Sequence, residues 1–177
     1  SKLSVIHSTP PRSPVKPLDR DLRGYLDTNS DVVLRITKPV NIDHIGALSA
    51  QSEQPIVFEN IVEHPGYRLC DILVKHRDLQ ARALGVSREE YLQTLAFRLR
   101  KPPRGFVHVK DGPVKEMKRL GKDADWTRLP VPIHSESETR PYVTAMNIVR
   151  DPETGFYNSS HAGTIVAGPH LGLPSFA

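Results

Sequence analysis

Six consecutive residues, Asn158, Ser159, Ser160, His161, Ala162 and Gly163, bring an amide, two hydroxyls and an imidazole together among small side chains. Small residues let a ligand approach the backbone, and amide and hydroxyl groups can hold a phosphate or a hydrated hard cation. The run follows a turn at 151–155 and precedes the β-branched Thr164-Ile165-Val166. An ordinary polar hairpin has the same composition. His134 closes Leu129-Pro130-Val131-Pro132-Ile133, where a lone imidazole is more often packed than catalytic. Glu136 and Glu138 have the spacing to share acid–base work, although Ser-Glu-Ser-Glu reads as a solvated loop. The 8 His are dispersed, without the i, i+4 spacing of a helical metal site. The glycines between 163 and 172 lack the Lys and the strand-to-helix setting of a phosphate loop.

Composition narrows the class of protein that carries these groups. At 38% hydrophobic and 25% charged, 177 residues can bury a core of one domain or one domain plus part of another. The net charge of +4 comes from scattered bases that often neighbour acids, as in Arg88-Glu89-Glu90, so the basic stripe of a nucleic-acid binder is missing. Cys70 is the single cysteine, which excludes an internal disulfide and a Cys-based zinc cluster and suits a reduced, cytoplasmic setting. It lies in an apolar run and reads as a small core residue. No apolar run approaches the ~18 residues of a membrane span, and no signal-peptide core is visible.

The elements that must position the candidate residues follow from periodicity. Residues 1–17, with Pro10, Pro11, Pro14 and Pro17, read as an extended or disordered tail. A helix is expected over 19–28, capped by Asp19, with Leu22 and Leu26 on one face. Strands are expected at 32–37, 55–60 and 67–74, and helices at 42–50 and 79–84, the last ended by Gly85. Ser87-Arg88-Glu89-Glu90 is a capping box for a helix whose apolar stripe is Tyr91, Leu95 and Leu99. Pro102-Pro103 stops it. Beyond it the pattern turns β-rich, with candidate strands at 106–109, 114–116, 142–149, 156–160 and 164–166. An α/β layer thus precedes a β-rich part, with the boundary between about 104 and 125.

At this point the residues resemble the UbiD family of decarboxylases. The matching pieces are Asp21 to Leu26, Leu34 to Val40, Ile45 to Leu48, Pro55 to Asn60 before His64-Pro65-Gly66, Gly112 to Glu116, Ala124 to His134, Pro141 to Thr144 and Asp151 to Ser160. Their joint order, from about residue 19 to 173, is more specific than any one of them. The resemblance implies an N-terminal α/β domain over 18–115, then the first strands of a split β-barrel over 116–177, UbiD-like and incomplete. It implies non-oxidative (de)carboxylation of aromatic, heteroaromatic or α,β-unsaturated carboxylic acids, with prenylated FMN, manganese and potassium. The family's Asn-x-Ser-x-Ala-Arg element falls on Asn158 to Gly163, so Asn158 resembles a metal-ligating amide and Ser159, Ser160, His161, Ala162 and Gly163 would line the cofactor. The family's Arg position holds Gly163, leaving His161 as the nearby cationic candidate for catalysis. A barrel begun but not closed implies a homodimer or a second chain that completes it. A repurposed relative with cofactor-independent chemistry through His161 or His134, or a non-catalytic binding or assembly module, remains an alternative.

Overall fold

The computed structural model describes residues 21–102, 110–112, 115–135 and 137–175. The expected tail, the strand at 106–109, Asp19 and Glu136 lie outside the described residues. Among the described residues there are two sheets, each three-stranded: β1 (Leu34–Ile36), β2 (Ile56–Phe58) and β3 (Leu69–Asp71) in the order β1-β2-β3, and β4 (Tyr142–Arg150), β5 (Tyr157–Gly168) and β6 (Leu171–Ser175) in the order β4-β5-β6. The helices are α1 (Leu22–Thr28), α2 (Ile42–Ala50), α3 (Arg77–Leu84) and α4 (Tyr91–Leu99). The chain forms two compact units from alternating segments: Ser1–Leu34, Glu53–Ile56 and Cys70–Lys110 in one, Arg35–Ser52, Val57–Leu69 and Asp111–Ala177 in the other. No helix among the described residues is long and apolar enough to cross a membrane.

The first unit contains α1, α3 and α4. Asp21, rather than the expected Asp19, caps α1 by accepting from the Gly24 N–H at 2.8 Å. Leu26 is buried while Leu22 is exposed, so the expected shared face is only half covered. Arg82 of α3 grips Asp31 with both guanidinium nitrogens at 3.0 and 2.8 Å, and the Tyr25 hydroxyl donates to the Leu73 carbonyl at 2.6 Å. Partial burial raises the Tyr25 pKa against the lowering pull of Arg82. Gly85 ends α3 in the left-handed region at φ 71°, which favours glycine. The capping box forms: Glu90 N–H donates to Ser87 Oγ at 3.3 Å, and Ser87 N–H to a Glu90 carboxylate oxygen at 3.2 Å. The expected stripe of α4 is corrected. Thr94 is the buried position at 1% exposure, whereas Leu99 is 75% exposed. The Thr94 hydroxyl has no hydrogen-bond partner.

The second unit carries α2 and the β4-β5-β6 sheet. Ile45, Gly46 and Ser49 form the buried face of α2. At Gly46 the helix meets the backbone of the 129–134 segment so closely that a Cβ would lie 2.9 Å from His134 Cα and 3.0 Å from the Ile133 carbonyl oxygen. The turn into β5 is held by Asp151, whose carboxylate accepts from the backbone N–H groups of Thr154 at 2.7 Å and Glu153 at 2.8 Å. Those bonds, Thr154's first, hold the Asp151 carboxyl below its ordinary range. Gly155 follows in the left-handed region at φ 73°.

Three strand expectations need correction. Residues 156–160 and 164–166 are not separate strands but parts of the 12-residue β5, which contains the whole Asn158–Gly163 run. Strand β6 was not anticipated, because Gly172 and Pro174 hide its period-2 pattern. Gly172 is required there, since a Cβ would sit 2.9 Å from Thr164 Cγ2 and 3.5 Å from the Trp126 ring. Lys115 and Glu116 form no strand; Lys115 N–H closes a turn onto the Gly112 carbonyl at 2.9 Å.

Three stability outcomes follow. Alanine usually exceeds glycine in a helix by about 1 kcal/mol, yet Gly46→Ala is expected to lose about 1–3 kcal/mol from overpacking against backbone, read by urea unfolding. Thr94→Val, which removes a buried hydroxyl without a partner, is expected to gain about 1 kcal/mol in the same assay. The Asp151 pKa lies below 3.8 in the folded chain, so its contribution is present above that pH and lost as pH falls through the folded value. Asp151→Asn should therefore flatten the acid limb of the stability curve below about pH 4 in a pH series of unfolding midpoints.

Candidate functional site

Antiparallel pairing sets which of the candidate residues meet. In β4 and β5 the partners run from Tyr142↔Ile165 through Thr144↔Gly163, Met146↔His161, Asn147↔Ser160 and Ile148↔Ser159 to Val149↔Asn158. Successive side chains of a strand point to opposite faces. Asn158, Ser160 and Ala162 therefore share one face, and Ser159, His161 and Gly163 share the other. The pleat splits the six-residue run into two sets that cannot act on one small ligand from the same side of the sheet.

The first face is the polar one. Asn147 stands directly across from Ser160 and adds an amide that sequence inspection did not single out; only its register with Ser160 identifies it. Its Nδ2 donates to the Ala162 carbonyl at 3.2 Å and to the Ala145 carbonyl at 3.3 Å, which fixes the amide orientation and leaves Oδ1 as an acceptor. Asn158 Oδ1 accepts from the Ser159 N–H at 3.0 Å, leaving its Nδ2 as a donor. The Ser160 hydroxyl makes no hydrogen bond among the described residues. Ala162 is buried and small, so it offers no side-chain obstacle.

The second face is more apolar. His161 is exposed opposite Met146, itself 58% exposed, and has no hydrogen-bond partner among the described residues. An acid–base histidine is ordinarily oriented by a second group, and none is present here among the described residues. At Gly163 a Cβ would lie 3.1 Å from the Tyr142 ring, so the aromatic side chain covers the position where a larger residue would emerge.

His134 and Glu138 serve local structure, as the Glu138 carboxylate accepts from the His134 N–H at 2.8 Å. The residue paired with Glu138 in the sequence reading, Glu136, is outside the described residues. Among the described residues no group of three or more His, Cys, Asp or Glu could hold a metal ion. Asn158 and Ser160 supply hard oxygen donors of the kind that suit manganese or potassium, but not a complete ligand set.

The same unit holds a cleft of about 490 Å³, which Val166 lines further along β5. Trp126, Leu129, Val131 and Val166 give it apolar walls, and Asp43, His64 and Arg140 open onto it. The wall at Trp126 is pinned by the bond from its N–H to the Pro169 carbonyl at 2.8 Å and by Asp125, which accepts from the Thr127 hydroxyl at 2.6 Å and N–H at 2.8 Å. Those bonds, the hydroxyl's first, depress the Asp125 pKa. Asp43, His64 and Arg140 are dispersed in sequence, and no spacing signal joins them.

No protein-family model matches the chain. The chain is 31% identical over 143 residues to anhydromevalonate phosphate decarboxylase of Methanosarcina mazei, across 80% of this chain and 32% of that protein. Its fold superposes on an evolved dimeric form of the UbiD-class enzyme HmfF from Pelotomaculum thermopropionicum in complex with prFMN, with a TM-score of 0.77, 29% identity, and coverage of 88% of this chain and 38% of that one. HmfF in complex with FMN gives a TM-score of 0.76 at the same identity, covering 88% and 36%. Apo 3,4-dihydroxybenzoic acid decarboxylase (AroY) of Klebsiella pneumoniae shares the fold at a TM-score of 0.78 and 18% identity, covering 89% and 37%. The chain spans about a third of the length of these relatives. In sequence order and in fold alike, the chain is similar to UbiD-class decarboxylases over the third of their length that it spans.

Proposed function

We propose that this chain supplies the phosphate-binding edge of a UbiD-type non-oxidative decarboxylase that uses prenylated FMN on an aromatic or α,β-unsaturated carboxylic acid. The observation that carries the reading is the in-register cluster of Asn158, Ser160 and Asn147 on one face of the β4–β5 pair. Two amides and a hydroxyl, set over a small buried alanine, suit the oxygens of a flavin phosphate and of a hydrated hard cation beside it. When bound, the flavin supplies an electron sink for loss of carbon dioxide, and the protein supplies binding and orientation.

In this reading Asn158 turns its carbonyl oxygen from the Ser159 N–H towards the cation, and Ser160 donates its hydroxyl to a phosphate oxygen. Asn147, held by two backbone carbonyls, keeps the adjoining position rigid. Ala162 lets the ligand approach. Gly163 supplies no cation for a substrate carboxylate, and the Tyr142 ring over it leaves no room for one without movement. In this reading that cation and the proton-transfer groups come from elsewhere than this strand pair, for which the portion of the relatives that this chain does not span or a second chain are the sources. Exposed Met146, Ile148 (69%) and Leu173 favour a partner over that part of the sheet, either a second copy or a completing polypeptide.

Binding of FMN in the presence of manganese, followed by quenching of flavin fluorescence, tests the reading. Asn158→Ala is expected to weaken binding by about tenfold or more, the loss of one good polar contact, and Ser160→Ala to weaken it in the same direction. His161→Ala, on the opposite face, is expected to leave it unchanged. Equal losses from Asn158→Ala and His161→Ala, or no flavin binding by the parent chain, contradict the assignment.

A further inference from the structure

We propose that the cleft of the second unit binds a small zwitterion with an apolar body, of the class of an apolar amino acid or dipeptide, at a site further along β5 than the Asn158–Ser160 cluster. Its volume, about 490 Å³, lies in the range of small-ligand sites. Trp126, Leu129, Val131 and Val166 form a surface for an apolar side chain. The charged groups at the cleft determine what else the ligand must carry.

Arg140 makes no ion pair among the described residues. Among the described residues its hydrogen bond is a long one, from Nη1 to the Ala167 carbonyl at 3.5 Å, so most of its five donors remain for a carboxylate. Asp43 likewise has no ion-pair partner among the described residues, and its carboxylate can only accept. His64 faces the Arg128 carbonyl through Nδ1 at 3.3 Å. A carbonyl only accepts, so Nδ1 is the donor in this contact, and the tautomer that allows it offers Nε2 as an acceptor. The cleft thus presents one cationic fork and two acceptors beside an apolar wall. A carboxylate and an ammonium on one apolar molecule satisfy all of them.

Simpler ligands fit less well. An apolar acid offers Asp43 no donor, an apolar amine offers Arg140 no acceptor, and a purely apolar ligand engages neither charge. The start of α2 adds no anion site of its own, because the Ile42 N–H is already taken by the Glu63 carboxylate at 2.8 Å. The close approach at Gly46 holds α2, and with it Ile42 and Asp43, against Ile133 on the cleft wall.

Isothermal titration of the intact chain with L-phenylalanine and leucyl-leucine, beside phenylacetate and phenethylamine, tests the proposal. At least one zwitterion is expected to bind more tightly than either singly charged analogue. Arg140→Met and Asp43→Asn, each shown folded by circular dichroism, are each expected to weaken it by about tenfold or more. Phenylacetate binding as tightly as L-phenylalanine with Asp43→Asn silent would make the cleft an acid site and overturn the proposal. Absence of heat from both zwitterions at millimolar concentration overturns it as well.

Discussion

The second unit depends on one contact between backbones. Helix α2 presents Gly46 to Ile133 and His134 at a distance that leaves no space for a methyl group. Because interiors are close-packed, such a contact fixes both partners. On one side it sets α2, whose first turn carries Ile42 and Asp43. On the other it sets the proline-bracketed stretch that leads through Arg140 into β4. Pro132 is buried in that stretch, and the Glu138 carboxylate caps the exposed His134 N–H beyond it. Widening the contact by one carbon would move the cleft wall and the start of the sheet together.

A second constraint, the alternation of a strand, decides what the polar run in β5 can do. Six adjacent residues look like one site when written in a line. Paired with β4, they become two faces, and Asn147 joins Asn158 and Ser160 on the polar one. The other face sets an imidazole opposite Met146 and Gly163 beside the Tyr142 ring, and among the described residues nothing orients that imidazole.

Much of this was legible beforehand for local reasons. The Ser87–Glu90 capping box, the left-handed Gly85 and the Asp151–Gly155 turn each depend on residues within a few positions of one another, and each forms. The order of weak motifs carried the family. What sequence could not show was tertiary. Thr94 displaced the expected stripe because burial follows which neighbours cover a helix, not the longest apolar repeat. Strand β6 hid behind Gly172 and Pro174, and its glycine makes sense only once Trp126 and Thr164 are seen against it. Asn147 and the cleft residues are brought beside their neighbours by pairing and packing across many positions, which no short window contains.

The central claim is that Asn147, Asn158 and Ser160 form one ligand face and His161 belongs to the other. Side-chain nuclear magnetic resonance during titration with FMN and a diamagnetic divalent cation, magnesium, addresses it most directly. The account predicts that the side-chain amide signals of Asn147 and Asn158 shift with a common saturation curve while the ring protons of His161 stay in place. Shifts at the His161 ring with silent asparagine amides would contradict it.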